Sequence, residues 1–76
     1  MISDKIRDIW ERELVLQDIS DDDDFFAIGG HSLIMQKIQA GIKDELGIEV
    51  PMDELFRLAT ISEISEHIAE IMAVSS

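Results

Sequence analysis

The sequence predicts an all-α protein, a small four-helix bundle made of three longer helices and one short helix. Three segments repeat apolar residues at helical spacing, a shorter segment follows the single proline, and no segment alternates convincingly as a strand. The 76 residues suffice for one domain, residues 1–76, and a hydrophobic content of 46% is enough for a folded core. A chain of this length is too short to build the deep pocket that most enzymes need.

The first helix is predicted over residues 3–16. Ser3 is its expected N-cap, and Asp4 suits the positive end of the helix dipole. The apolar stripe of this helix consists of Ile2, Ile6, Ile9, Trp10 and Leu14. This stripe predicts that one side of the helix packs against the core.

Residues 17–31 are predicted to form a long loop. The segment contains turn formers, including four consecutive aspartates at 21–24, and it closes with Gly29 and Gly30, which permit backbone angles that other residues resist. Loops of this length are uncommon in a compact domain and are often functional. The loop is therefore the first place to look for a site.

The aspartate run does not match a calcium-binding loop. Counted from Asp21, the fifth and sixth positions of an EF-hand loop are Phe25 and Phe26, which supply neither the oxygen ligand nor the glycine required there. We expect a solvated acidic segment and no metal site. One or both phenylalanines are expected to fold the loop onto the bundle and so fix the position of the residues that follow.

The second helix is predicted over residues 32–46, with Gly47 as its C-terminal stop. Leu33 points about 140° away from Ile38 when each residue turns by about 100°, which is outside the core-facing arc. A large apolar side chain is therefore expected to be exposed directly beside Ser32. The core-facing arc comprises Ile34, Met35, Ile38, Ile42 and Leu46.

Two further helices complete the bundle. Asp53 is the expected cap of a short third helix that ends near residue 58. Thr60 and Glu63 have the spacing of a capping box and open a fourth helix. The apolar stripe of this last helix consists of Ile61, Ile64, Ile68, Ile71 and Met72.

Ser32, taken alone, is most simply explained as a helix cap. Gly30, His31 and Ser32 also match the first half of the G-x-S-x-G turn of hydrolases, but Ile34 stands where the last glycine belongs and no strand precedes the turn. His31 is adjacent in sequence and would need help from the fold to act as a base toward Ser32. We therefore expect that the chain does not catalyse a reaction itself.

Charge and composition exclude several partners. The balance of 17 acidic against 6 basic residues gives a net charge of −11, which is unsuited to nucleic acid or to an anionic membrane surface. A basic patch on a partner protein is the expected complement. The sequence has no cysteine, which excludes a disulfide framework, and no apolar run long enough for a membrane span. The start at Met1 without a leader favours a cytoplasmic protein, and a monomer is expected.

Residues 24–33 read DFFAIGGHSL and closely resemble the modification motif of peptidyl carrier domains, the thiolation domains of nonribosomal peptide synthetases. The motif residues are Asp24, Phe25, Phe26, Gly29, Gly30, His31, Ser32 and Leu33. The resemblance extends to GIEVP at 47–51, LF at 55–56 and TI at 60–61. Ile28 and Ala59 depart mildly from the family pattern, and neither touches the chemistry.

The resemblance implies an acyl carrier protein-like fold and a 4′-phosphopantetheine arm attached to Ser32. A phosphopantetheinyl transferase would attach the arm, an adenylation enzyme or domain would load an amino acid on it as a thioester, and condensation, tailoring or thioesterase enzymes would use the cargo. Leu33, Met35 and His31 are the expected partner contacts, with Leu33 better placed than Met35. Gly29 and Gly30 are expected to leave room for the partner to approach.

Two other interpretations remain open from the sequence. The first is a carrier of acyl, aryl or D-alanyl groups for polyketide, siderophore or cell-wall chemistry, although His31 and the phenylalanine pair favour an aminoacyl cargo. The second is a non-catalytic helical interaction module in which Ser32 is only a cap. The start at Met1 and the acidic composition favour a free-standing protein over an excised synthetase domain.

Overall fold

The computed structural model describes the backbone of residues 1–75 and the side chains of residues 1–74. This part of the chain forms four helices and no strand, which confirms the all-α prediction. In chain order the helices are α1 (Ile2–Leu14), α2 (Ser32–Leu46), α3 (Met52–Arg57) and α4 (Ile61–Ser75). Helix α1 packs against α2 and α4, and the short α3 packs against α2. None of these helices combines the length and the apolar character needed to cross a bilayer.

The core lies where the apolar stripes of the helices meet. Ile34, Leu46, Ile2 and Leu14 are partly buried at its margin. The sequence places Met72 in the α4 stripe, but this residue is 43% exposed, because the buried part of α4 ends at Ile68 among the described side chains. The buried core residues are Ile6, Ile9, Trp10, Ile19, Phe25, Met35, Ile38, Ile42, Val50, Leu55, Leu58, Ile61, Ile64 and Ile68.

Two of the predicted helix caps are wrong. The N-cap of α1 is Met1, so Ser3 lies inside the first turn, and no side chain caps the helix. The N-cap of α3 is Pro51, whose fixed φ of −58° leads directly into the helix, so Asp53 likewise lies in the first turn. In both cases the helix begins before the residue that was predicted to cap it.

The other helix ends follow the local signals. Thr60 Oγ1 accepts a hydrogen bond from the backbone amide of Glu63 at 3.1 Å, which confirms the cap of α4. Gly47 ends α2 with φ +70°, a left-handed conformation that glycine adopts without steric cost. Helix α1 ends two residues early, because Val15 turns left-handed at φ 55°.

Candidate functional site

Ile19 holds the beginning of the long loop against α1. Its side chain is buried, its amide donates to Glu11 Oε2 at 3.1 Å, and its carbonyl accepts from Arg7 Nε at 3.2 Å. A single apolar residue in a polar segment has no periodicity, so no sequence pattern indicates this anchor. Two left-handed residues, Val15 at φ 55° and Asp18 at φ 58°, lie between α1 and Ile19.

The aspartate run makes contacts with the loop's own backbone and with α1. Asp21 forms an ion pair with Arg7, and the hydrogen bond between them is the main cause that raises the pKa of the Arg7 guanidinium above its usual value. The Asp23 carboxylate accepts from the Ser20 amide at 2.9 Å, and the Asp24 carboxylate accepts from the Ala27 amide at 3.0 Å. These carboxylates therefore build turns. No cluster of three or more metal-binding side chains occurs among the residues described.

Phe25 attaches the end of the loop to the core. Its ring is completely buried and meets Trp10 edge to face, with ring centroids 5.3 Å apart. Its amide donates to the Ala59 carbonyl at 2.8 Å, and its carbonyl accepts from the Gly30 amide at 2.9 Å. The loop is thereby held immediately before α2 begins, as the sequence predicted for one of the two phenylalanines.

Phe26 behaves differently from its neighbour. It remains 49% exposed and stacks on Phe56 of α3 with ring centroids 5.7 Å apart. The rings of Phe25 and Phe26 also meet edge to face, with centroids 5.4 Å apart. Phe26 therefore joins the loop to α3 from the outside, a contact that neither sequence position indicates on its own.

Glycine is required at positions 29 and 30 for different structural reasons. Gly29 adopts φ +100°, which side-chain-bearing residues rarely adopt, and a Cβ atom there would meet nothing within 4 Å. A Cβ atom on Gly30 would lie 2.4 Å from the Phe25 ring. The expectation that both glycines leave room for a partner is therefore corrected at Gly30, where the space is occupied by the protein's own Phe25.

Ser32 is the first residue of α2 and does not act as its cap. The N-cap is His31, in an extended conformation with φ −152° and without a side-chain capping bond. The helical hydrogen bonds begin with the Met35 amide donating to the His31 carbonyl at 3.0 Å. The amides of residues 32–34 precede this bond, and within the described chain the exposed Ser32 hydroxyl has no recorded hydrogen-bond partner.

The residues after Ser32 separate into an outer and an inner side. Leu33 is 66% exposed, as its helical phase predicts. Met35 is completely buried among the core residues, so the expectation that it contacts a partner is corrected. The physical reason is its position in the core-facing arc of α2, which also contains Ile38 and Ile42.

An open groove runs along the outer side of α2 from the start of the helix. Its lining residues are His31, Leu33, Ile34, Gln36, Lys37 and Ala40. His31 is exposed where the groove meets the start of α2. No hydrogen bond between His31 and Ser32 is recorded in the described part of the chain. Lys37, which the sequence analysis did not single out, also lines this groove.

These features define a class of protein. A glycine turn packed against a buried aromatic ring precedes an exposed serine at a helix start, and the first helical hydrogen bond from a backbone amide comes three residues later, at Met35. A phosphodiester on that oxygen suits the site, because helix amides and the helix dipole favour an anion there. The class is a small helical bundle with an exposed serine at the start of a helix.

Comparison with known proteins agrees with this class. The model of the phosphopantetheine attachment site family matches residues 4–68. Surfactin synthase subunit 3 of Bacillus subtilis (strain 168) is 44% identical over 63 residues, which cover 83% of this chain and 5% of that protein. Gramicidin S synthase 2 of Brevibacillus brevis is 39% identical over 70 residues, covering 92% of this chain and 2% of that protein. The chain thus spans a small part of these relatives.

Two solved structures have the same fold and related sequences. One is a peptidyl carrier protein in a complex with the phosphopantetheine transferase Sfp and coenzyme A, with a TM-score of 0.89, 34% identity, and coverage of 92% of this chain and 91% of that one. The other is an active-site mutant peptidyl carrier protein in solution, with a TM-score of 0.87, 35% identity, and coverage of 91% and 77%. The chain belongs to the phosphopantetheine attachment site family, as a peptidyl carrier protein, and the cofactor of this family is 4′-phosphopantetheine.

Proposed function

We propose that Ser32 is the residue to which the 4′-phosphopantetheine arm is attached, and that residues 1–76 act as one carrier domain for an aminoacyl or peptidyl group. The observation that carries this proposal is the exposed Ser32 hydroxyl, which begins α2 but is not used to cap it. A serine spent on capping would have its oxygen engaged with backbone amides. At Ser32 the oxygen is free for a bond to phosphorus.

The reaction would need a partner enzyme, because none of the side chains described in residues 1–74 is hydrogen-bonded to Ser32 as a base would be. A phosphopantetheinyl transferase would accept the hydroxyl proton while the serine oxygen bonds to the β-phosphorus of coenzyme A, and adenosine 3′,5′-bisphosphate would leave. The similar peptidyl carrier protein solved with Sfp and coenzyme A supports a partner of this kind. Here Phe25 and Gly30 would hold the serine in place, and the amides of residues 32–34 would face the new phosphodiester.

After modification, the chain would act as a tether and not as an enzyme. The arm supplies a thiol that holds the acyl group as a thioester, and this chain has no cysteine that competes for that role. An adenylation enzyme or domain would load the amino acid, and condensation, tailoring or thioesterase enzymes would receive it. Tethering raises the concentration of the cargo at each of these active sites.

The test is a loading assay with the whole chain. The protein is incubated with coenzyme A, magnesium and the transferase Sfp, and its intact mass is measured. We expect a gain of one phosphopantetheinyl group in the wild type and in Ser20→Ala, which removes an exposed serine of the loop before α2, and no gain in Ser32→Ala. Circular dichroism establishes that the three proteins are folded. Wild-type protein that is folded and gains no mass, or modification that persists in Ser32→Ala, would refute the proposal.

A further inference from the structure

Two grooves follow one another along α2 and share part of their lining. The first begins at His31, beside the candidate attachment serine, and extends to Lys37 and Ala40. The second lies between α1 and α2, and its lining residues are Arg12, Glu13, Lys37, Ala40, Gly41 and Asp44. Because Lys37 and Ala40 line both, the two grooves form one continuous path from the start of α2 to its last turn. We call this path the α2 groove.

The far end of the α2 groove carries a carboxylate that no cation compensates. The neighbouring carboxylates Glu13 and Glu45 both pair with Arg12. Among the residues described, no ion pair is recorded for the exposed Asp44, and Lys37 lies about 10 Å away from it along the helix axis. Asp44 also lies in the last turn of α2, where the helix dipole disfavours a negative charge. This carboxylate is therefore available to a cation from outside the chain's own side chains.

The length of the 4′-phosphopantetheine arm matches the α2 groove. From Ser32 to Asp44 the helix rises by about 18 Å, at about 1.5 Å per residue. The arm has about as many chain atoms as five residues of backbone, so it spans about 17 Å when extended. Between the two ends, the exposed side chains of Gln36 and Lys37 offer hydrogen-bond donors to the amide carbonyls of the arm. An arm on Ser32 that follows this groove would bring its thiol end to the last turn of α2.

We propose that the α2 groove holds the loaded arm folded back along the helix, and that Asp44 binds the ammonium group of an aminoacyl cargo. This inference rests on the proposed attachment at Ser32. An amino acid that is joined through its carboxyl group keeps a cationic ammonium beside the thioester, whereas an acyl or aryl group has no such charge. The tether makes the contact intramolecular, so a weak ion pair suffices to populate it. The groove therefore holds an aminoacyl cargo more strongly than a simple acyl cargo.

Backbone amide chemical shifts of the loaded protein test where the arm lies. Sfp transfers the arm from coenzyme A that carries either an alanyl or a propionyl group, each through a stable amide in place of the thioester, and intact mass establishes attachment. The two groups differ mainly in the ammonium. We expect the amides of residues 40–45 to shift about two- to fivefold more with the alanyl group, as an exposed ion pair provides. This excess should be lost in Asp44→Asn, persist in the matched control Glu66→Gln, which removes an exposed carboxylate of α4, and shrink in salt.

The outcomes separate this inference from the proposed function. Failure of the folded wild type to gain the arm from unmodified coenzyme A would refute the attachment function itself. Normal attachment with shifts that are confined to the amides around Ser32, or that appear on α3 in place of the last turn of α2, would refute only the folded-back arm. Equal shifts with the alanyl and propionyl groups, or an alanyl excess that survives in Asp44→Asn, would likewise overturn the inference, because Asp44 would then not bind the ammonium.

Discussion

Residues 25–35 place neighbouring side chains on opposite sides of the fold. On the inner side, Phe25 and Met35 are completely buried, and the Phe25 ring fills the space beside Gly30. On the outer side, Ser32 and Leu33 are exposed. One short segment thus carries both the anchor of the loop and the surface at which we propose modification.

The inner side of this segment is expected to determine stability, and the outer side is expected to determine recognition by the partner. Burial of a large apolar side chain removes it from water and stabilises the fold, whereas a side chain that stays exposed contributes little to folding. Substitutions on the inner side should therefore change the free energy of unfolding. Substitutions on the outer side should change loading and leave stability close to that of the wild type.

The largest loss of stability is expected at Phe25. Phe25→Ala should lower the free energy of unfolding by about 4 kcal/mol, because it leaves a cavity beside Trp10 and frees the end of the loop. The matched variant Phe26→Ala should cost about 1 kcal/mol, since Phe26 is half-exposed and loses mainly its stacking on Phe56. Urea unfolding followed by circular dichroism measures both. Similar losses of unfolding free energy in the two variants would contradict the division into a buried inner side and an exposed outer side.

Met35 gives the next largest effect. Met35→Ala should destabilise the protein by about 3 kcal/mol, because the side chain is fully buried in the core. Met35→Leu, which keeps the volume nearly unchanged, should cost less than about 1.5 kcal/mol. The same urea titration compares the two. A small loss of unfolding free energy in Met35→Ala, together with slow loading, would show that Met35 contacts a partner after all.

The two glycines sharpen the comparison through a double-mutant cycle. Gly30→Ala should cost about 2 kcal/mol by overpacking against the Phe25 ring, and this cost should fall in a Phe25→Leu background. Gly29→Ala should cost about 1 kcal/mol from backbone strain alone, with no dependence on Phe25. Urea unfolding of the six proteins gives both coupling free energies. Equal coupling free energies at the two positions would show that Gly30, like Gly29, is required for its backbone conformation and not for the space that the Phe25 ring occupies.

The helices and the core could be predicted from the sequence because burial follows helical periodicity. The stripes of α1 and α2 identified Trp10 and Ile38 as core residues, and the same phase identified Leu33 as exposed. The caps at Ser3 and Asp53 were predicted wrongly, because a capping residue type does not determine where the preceding chain enters the helix.

The motif of the site could be predicted from the sequence, but the packing of its side chains could not. Phe25 and Phe26 are identical neighbours, and only tertiary packing decides which of them enters the core. The steric demand at Gly30 likewise comes from a ring five residues earlier. Ile19 had no local pattern at all, since its backbone is held by hydrogen bonds to Arg7 and Glu11 of α1. These contacts join positions whose spacing follows no helical or strand period.

The smallest expected change in stability is at Leu33, and it tests the outer side most directly. Leu33→Ala should alter the free energy of unfolding by less than about 0.5 kcal/mol, because the side chain is 66% exposed. Loading by Sfp should nevertheless slow, since an apolar contact beside Ser32 is lost. Thermal unfolding and the loading rate are measured on the same preparation. A large loss of stability would show that Leu33 belongs to the core. Unchanged stability with an unchanged loading rate would show that this exposed leucine takes no part in recognition by the transferase.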